Sequence, residues 1–416
     1  MHVLMVSDVC FPRVNGVSTS IGTFRDSLTR QGHRCTVVAP DYGLRGVDTH
    51  VQRVPARPVP FDPEDRLMIP RRLRSVLERL DPGDVDVVHL QTPFVAHAVG
   101  LRWARRHGLP VLETCHTHFE EYFHHYLPLL PAGWLRAAAR TLTRRQCNAL
   151  DAVIVPSLAM RDVLAGYGVR SPVHVLPTGI DPSAFGHGDG AAFRRRHGLA
   201  ADRPVLVHVG RIAHEKNLDL LLDVTHLLRR AIPDVVLLVA GDGPALGHCR
   251  ARVQSLGLEA HVRFVGYLDR GGELQDCYRA GDLFVFASKT ETQGLVMLEA
   301  LALGVPVVAI PALGARDIVE PGRGAVPAPD DASAYAAIVA GLLRDPGRRA
   351  YLADEAVRFA REWDSTTVAR RLVDVYAEVG VSRPRAPVNH AVAALHAADE
   401  RNEPAQGVGS GAGPDH

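Results

Sequence analysis

Residues Leu283–Ile310 read LFVFASKTETQGLVMLEALALGVPVVAI. The opening LFVFAS and the closing VPVVAI are short apolar runs of strand length, rich in Val and Phe, as expected for strands buried on both faces. Between them a polar loop ends in Gly294 and a helix-length apolar stretch opens near Leu295. Strand, loop, helix and strand in this order make a βαβ unit, and two strands joined through a helix run parallel.

The same alternation spreads outward in both directions. Upstream in the second half stand VLVHVG (Val205–Gly210), VVLLVAG (Val235–Gly241) and VRFVG (Val262–Gly266), separated by helical patterns such as NLDLLLDVTHLLRR (Asn217–Arg230). The first half repeats the scheme with HVLMVS, CTVVAP, VDVVHL, VLETC, AVIVPS and VHVLPT, between His2 and Thr178. Two strand–helix series imply an α/β protein of two Rossmann-like, doubly wound halves. The Gly- and Pro-rich stretch Pro177–Gly190 divides them, so we expect domains at 1–183 and 184–363. Beyond Asp330 the pattern is purely helical. From 381 to 416 periodicity is lost and Gly, Pro and Ala dominate, which reads as a disordered tail.

Bulk composition agrees with a soluble two-domain protein. The chain has 416 residues, 46% hydrophobic and 22% charged, enough for two sizeable cores. Its formal net charge of +1 gives no ground for expecting nucleic-acid binding. Residues 1–180 carry 21 Arg, no Lys and 16 Asp plus Glu, a net of +5, which leaves −4 for the remainder. Six scattered cysteines include no C-x-x-C pair, which argues against a zinc knuckle or a disulfide framework. The N-terminus lacks a basic signal-peptide start, and no apolar run approaches the ~18 residues of a membrane span. A cytoplasmic location is therefore expected.

Chemistry concentrates at strand ends. In Ser288–Pro306 free N–H groups at a helix N-terminus beside Gly294 form a phosphate site. Glu291 and Glu299 flank it with seven residues between them; the alternative is a capped helix with two solvated glutamates. In His208–Leu222, Arg211 emerges at a strand end and Lys216 precedes a helix, where two cations can clamp a diphosphate; the alternative is an ordinary surface pair. AGDGP (Ala240–Pro244) and FPRVNGVS (Phe11–Ser18) add glycine turns after strands, but no G-x-G-x-x-G is present. In ETCHTHFEEYFHHYL (Glu113–Leu127), His116 follows a strand and is placed to hydrogen-bond a sugar hydroxyl. His118, His124 and His125 read as structural histidines rather than metal ligands. Asp84-Val-Asp86 has D-x-D form but lies at the amino edge of a strand, the wrong end for a ligand.

Taken together and in this order, the Glu291–Glu299 element, the Gly210-Arg211-x4-Lys216 element, the AGDGP loop and the N-G-V-S near the N-terminus resemble family 4 of the retaining glycosyltransferases. The resemblance spans roughly residues 1–380. It implies a GT-B fold, two Rossmann-like parallel-sheet domains facing across a cleft, with a helix at 364–380, after Trp363, crossing back to the first domain. It implies that Arg211 and Lys216 hold a donor diphosphate, that Glu299 holds the ribose, and that Glu291 and the amides around Gln293, Gly294 and Leu295 face the sugar and phosphates. Gly16, Gly210 and Gly241 line the cleft, His116 contacts the sugar near the reacting carbon, and the backbone at Tyr267 receives the base. It implies front-face transfer with retention, a nucleotide-diphosphate sugar as co-substrate, and no metal or other cofactor. Lys216 is followed by Asn217 where many members carry Gly; Asn217 is expected to serve as a helix cap. The two halves are expected to meet only when donor is bound.

DVCFPRVNGVSTS and CHTHFEEYFHHY also resemble the subgroup acting on diacylglycerol, with phosphatidylinositol mannosyltransferases as near relatives. A lipid acceptor at an anionic membrane surface follows, with the protein peripheral on the inner face of the membrane and its oligomeric state undefined. Local sequence supports this. In Tyr126–Arg145, Arg136, Arg140 and Arg144 form one helical stripe, Leu135, Ala138 and Leu142 fall on another side, and Trp134 stands at the helix start. Arg66–Leu80 adds five arginines among apolar residues. The alternative is that both helices bury their apolar sides in the domain core. Competing activities are transfer to a soluble acceptor, nucleotide-sugar epimerisation, or sensing without catalysis.

Overall fold

The Val- and Leu-rich runs pair as parallel strands because each is apolar on both faces and is covered by helices on both sides. The computed structural model describes residues 1–43, 51–59, 62–118 and 132–381. Its strands are β1 (His2–Val6), β2 (Arg34–Pro40), β3 (Val51–Val54), β4 (Ala56–Val59), β5 (Asp62–Met68), β6 (Val87–Leu90), β7 (Val111–Thr114), β8 (Ala152–Val155) and β9 (Val173–Val175). The second half adds β10 (Val205–Val209), β11 (Val236–Ala240), β12 (Val262–Gly266), β13 (Leu283–Phe286), β14 (Val307–Ala309) and β15 (Ala325–Pro327).

One seven-stranded sheet has the order β3-β2-β1-β6-β7-β8-β9, and a six-stranded sheet has β12-β11-β10-β13-β14-β15. Every ladder in both is parallel. In each sheet the chain winds outward from one strand and then returns to its other side, so the strand order reverses between β1 and β6 and between β10 and β13. Crevices at such reversals, beyond the carboxyl ends of the strands, are where open α/β sheets bind ligands. The loops after β1, β6, β10 and β13 carry the glycine turn, the Gln91–Phe94 stretch, the Arg211–Lys216 segment and the Glu291–Gly294 segment. The topology therefore brings the sequence motifs together.

Each sheet has apolar packing on both faces. The helix Ser365–Val381 returns to the first half, where Val368, Leu372, Val375, Tyr376 and Val379 pack with Val3, Met5, Ile21, Phe24 and Leu28. Tyr376 Oη lies 2.8 Å from His89 Nδ1, and His89 Nε2 lies 2.7 Å from Thr114 Oγ1. The return is tight: Ile180 bridges Asp364, and a Cβ on Gly179 would sit 2.5 Å from Ser365 Cα. Only glycine lets the two passing segments approach so closely.

The two halves are in contact. Thr292 Oγ1 donates to the His116 carbonyl at 2.7 Å, and the Leu158 N–H donates to Asp317 Oδ2 at 2.8 Å. Asn217 does not cap with its side chain. It takes a left-handed backbone (φ 55°), a conformation glycine favours and asparagine tolerates best among the others. Leu135, Ala138 and Leu142 do not share one environment: Leu135 and Ala139 pack inward, while Ala138 and Leu142 are exposed. The 70–77 helix buries Leu73 and Leu77 and turns Arg71, Arg72 and Arg74 outward, as an ordinary surface helix does. His124, His125 and the 382–416 tail lie outside the described residues. The sequence reading also missed β3, β4, β5 and β15, which are short, polar or proline-containing.

Candidate active site

Between the two sheets lies a cleft of about 820 Å³. His116, Arg211, Lys216 and Glu291 line it, as do Gly16, Gly210, Gly241, Tyr267, Gln293, Gly294, Leu295 and Glu299. Residues read from six separate segments thus meet around one space. Trp134, Arg136, Arg140 and Arg144 stand outside it on the helix Ala132–Cys147, whose Thr143, Gln146 and Cys147 reach the cleft wall.

The phosphate-side geometry follows from the β13 loop. Gly294 adopts φ 93° and precedes the helix Leu295–Ala302, which has no side-chain cap. Its first-turn N–H groups and its positive dipole end face the cleft. Arg211 follows β10 by two residues, and Lys216 ends the short turn His214–Lys216 before the helix Leu218–Ala231. The Lys216 ammonium is paired with Glu291. Burial alone would raise the Glu291 pKa, but the Lys216 charge and hydrogen bonds from Lys216 and Ser288 hold it below the usual carboxylate range. Lys216 and Glu291 are 75 residues apart in sequence, and the β10–β13 pairing is what joins them.

Glu299, 1% exposed, has both oxygens engaged: Arg270 Nη2 donates at 2.5 Å and Tyr278 Oη at 2.7 Å. Arg270 and Tyr278 were missed by sequence reasoning. They lie in an ordinary-looking DRGGELQDCYR stretch with no motif around them. A ribose hydroxyl that takes Glu299 as partner must share the carboxylate with them. The Gln293 side chain turns away from this side and bonds the backbone of Thr178 at both ends, so only its backbone remains for a donor.

On the first half's side, His116 Nε2 lies 2.8 Å from Gln91 Oε1, and burial pushes its pKa down to about 4. It is a neutral imidazole at pH 7. His118 Nε2 bonds Tyr167 Oη at 2.9 Å, a structural role. Asp8, Gln91 and Glu113 also line this side and were not singled out from the sequence. Glu113 Oε2 is 2.5 Å from His97 Nδ1, both buried. Asp84 and Asp86 lie at the far edge of the sheet, pairing with Arg34 and the His2 N–H respectively. All six cysteines are free; Cys115 and Cys147 approach to 3.9 Å.

Two facing Rossmann-like domains with a cleft between them are the architecture of the GT-B class of glycosyltransferases. Residues 14–184 match the model described as Glycosyltransferase Family 4, and residues 189–359 match Glycosyl transferases group 1. The chain belongs to glycosyltransferase family 4 and is a glycosyltransferase. It is 34% identical to an alpha-monoglucosyldiacylglycerol synthase of Streptococcus pneumoniae, over 74% of this chain and 71% of that protein. It is also 34% identical to a GDP-mannose-dependent alpha-mannosyltransferase of Mycolicibacterium smegmatis, over 78% of this chain and 83% of that protein. Among solved structures, Anabaena Alr3699/HepE in complex with UDP and glucose superposes with a TM-score of 0.74 at 20% identity, covering 91% of this chain and all of that one. No described helix is long and apolar enough to cross a membrane.

Proposed function

We propose that this enzyme moves a hexose, with retention, from a UDP-glucose- or GDP-mannose-type donor to a hydroxyl of a membrane lipid such as diacylglycerol or a phosphoinositide. The observation carrying the donor half is the convergence of Arg211, Lys216 and the uncapped Gly294–Leu295 helix start on one cleft. As the anomeric bond breaks, the leaving nucleoside diphosphate gains charge. Two cations and a helix N-terminus meet that charge in place of a metal ion. Glu291 leaves part of its Lys216 contact to hydrogen-bond sugar hydroxyls, and neutral His116 supports the sugar from the opposite domain. Arg270 and Glu299 hold the ribose side.

The lipid half rests on the Ala132–Cys147 helix. Trp134 is 80% and Leu142 49% exposed, with Ala138 between them and Arg136 and Arg145 exposed nearby. An exposed tryptophan with apolar and basic neighbours fits the interface of an anionic membrane. Arg140 lies over the Tyr167 ring at 5.7 Å, so it contributes charge from the domain surface rather than from a free stripe. The relatives named for diacylglycerol and phosphatidylinositol chemistry support the same acceptor class. The test is thermal-shift comparison of UDP-, GDP- and ADP-sugars, followed by turnover with dioleoylglycerol and phosphatidylinositol vesicles. Turnover of soluble acceptors alone would reject the lipid assignment.

A further inference from the structure

Two buried polar atoms on the first half's side of the cleft have no hydrogen-bond partner among the described residues: Asp8 Oδ1 and Gln91 Nε2. Both residues line the cleft, and they are 1% and 2% exposed. Their backbone segments are neighbours because β1 and β6 pair at the reversal of strand order. The Gln91 N–H donates to the Val6 carbonyl at 2.9 Å, and the Asp8 N–H donates to Thr92 Oγ1 at 2.8 Å.

The other polar atom of each side chain is already committed. Asp8 Oδ2 accepts from Thr92 Oγ1 and from the Ala96 N–H, both at 2.9 Å. It thereby supplies the cap that Phe94 cannot give to the helix Val95–Arg106. Gln91 Oε1 faces His116 Nε2. Helix capping accounts for one oxygen of Asp8 and leaves the other unexplained, and buried polar atoms are rarely left unpaired because each costs stability. Asp8 Oδ1 only accepts; Gln91 Nε2 only donates. A hydroxyl group does both at once.

We propose that Asp8 and Gln91 form the subsite for the acceptor's reacting hydroxyl, with Asp8 Oδ1 accepting its hydrogen bond and Gln91 Nε2 donating to its lone pair. This rests on the glycosyltransferase reading above and deepens it: the group received here is an uncharged alcohol, as on a glycerol or another polyol. Gln91 also holds His116, so the subsite is one hydrogen bond from the residue assigned to the donor sugar. Glu113 from β7, backed by His97 from the neighbouring helix, adds a second buried carboxylate beside Asp8, while Arg13 and Arg66 line the cleft further along. Burial pushes the Asp8 pKa up to about 6, with the Glu113 charge adding to it, against the Ala96 N–H, the Thr92 hydroxyl and the approach of the Met68 N–H. Asp8 is a carboxylate at pH 7.5 and a neutral acid below pH 6, where its own proton competes for the hydroxyl.

The test uses the full chain with dioleoylglycerol in anionic vesicles and the nucleotide sugar that binds best. Asp8→Asn keeps an oxygen for the Ala96 N–H, and an unchanged affinity for the nucleoside diphosphate certifies its fold. The expected result is a loss of at least tenfold in kcat/KM for dioleoylglycerol at pH 7.5, with nucleoside-diphosphate affinity within twofold. The wild-type fall in activity below pH 6 should be absent from Asp8→Asn, and Gln91→Leu should raise the acceptor KM more than it lowers kcat. Retention of both acceptor kcat/KM and the acid limb in Asp8→Asn overturns the subsite. If the wild type binds donor but leaves dioleoylglycerol untouched, transfer to water is compared instead: slower hydrolysis in Asp8→Asn supports a hydroxyl subsite, and unchanged hydrolysis overturns it. A wild type that binds no nucleotide sugar removes the donor reading and this proposal together.

Discussion

Gln293 and Thr178 exchange two hydrogen bonds across the domain boundary: the Thr178 N–H donates to Gln293 Oε1 and Gln293 Nε2 donates to the Thr178 carbonyl, each at 2.8 Å. The side chain satisfies a buried stretch of connecting backbone much as a neighbouring strand would. Thr178 Oγ1 continues to Ser20 Oγ at 2.8 Å, so the donor-side loop, the connection and the first helix form one line. The adjacent Gly294 is thereby fixed relative to the first domain. Gln293→Ala leaves a buried N–H and C=O unpaired, each costing about 1–3 kcal/mol. A lower melting temperature together with weaker nucleotide binding is expected, and a variant with wild-type values for both would remove the assigned role.

Arg211→Ala and Lys216→Ala should each slow turnover severely while leaving the fold intact. Removing one such charge from a water-poor site costs roughly 2–4 kcal/mol of transition-state stabilisation. The Lys216 variant also releases Glu291, so its affinity for donor should change more than that of the Arg211 variant. Steady-state kinetics with circular dichroism as the fold control checks this. Near-normal rates in both variants would reject the diphosphate assignment.

Acid should destabilise the protein in a defined window. Burial lowers His89 to about 3, His116 to about 4 and His208 to about 4. The unfolded chain takes up protons near pH 6.5 that these folded imidazoles refuse, so stability is lost as pH falls from there towards 4. Asp8 works in the opposite direction. Its folded pKa of about 6 lies above its ordinary value, so the folded chain binds that proton first and recovers stability over the same range. The three imidazoles outweigh this one carboxyl, and His2, His33, His107 and His197, also lowered by burial, act in the same direction as they do. Urea midpoints at pH 7.5, 6 and 5 should fall accordingly, and more steeply in Asp8→Asn. Midpoints independent of pH across this range would contradict the assignment.

The second half's contribution to the cleft was legible in the sequence, and most of the first half's was not. Arg211, Lys216, Glu291, Gly294 and Glu299 sit at fixed offsets from runs that read as buried strands, and it was their joint order and the family resemblance, not any one spacing, that marked them. Arg270, Tyr278, Asp8 and Gln91 matter through partners that only the folded sheets bring near. Arg270 meets Glu299 across 29 residues and Gln91 meets His116 across 25. The helix Ala132–Cys147 shows the same limit. Heptad-like spacing places Leu135 and Leu142 together, yet packing buries one and exposes the other. Strands β3 to β5 carry Gln, Arg, Pro and Asp, and neither period nor propensity marks them.

Membrane docking should depend on the exposed stretch from Trp134 to Leu142. Each basic side chain near an anionic leaflet contributes ~1 kcal/mol, and the tryptophan adds an interfacial anchor. The wild type should float with anionic vesicles at low salt and less at high salt. Trp134→Ala combined with Arg136→Ala should lower the floated fraction without changing nucleotide affinity. A wild-type chain that stays with the soluble fraction at low salt would reject docking through this helix.

The most direct test of the central claim is product analysis after incubating the purified chain with UDP-glucose or GDP-mannose and vesicles containing dioleoylglycerol or phosphatidylinositol, in the presence of EDTA. The expected result is a new glycolipid whose anomeric configuration matches that of the donor, formed at a rate unaffected by the chelator. No glycolipid from any of these pairs, a product of inverted configuration, or activity that vanishes with EDTA and returns with metal would contradict it.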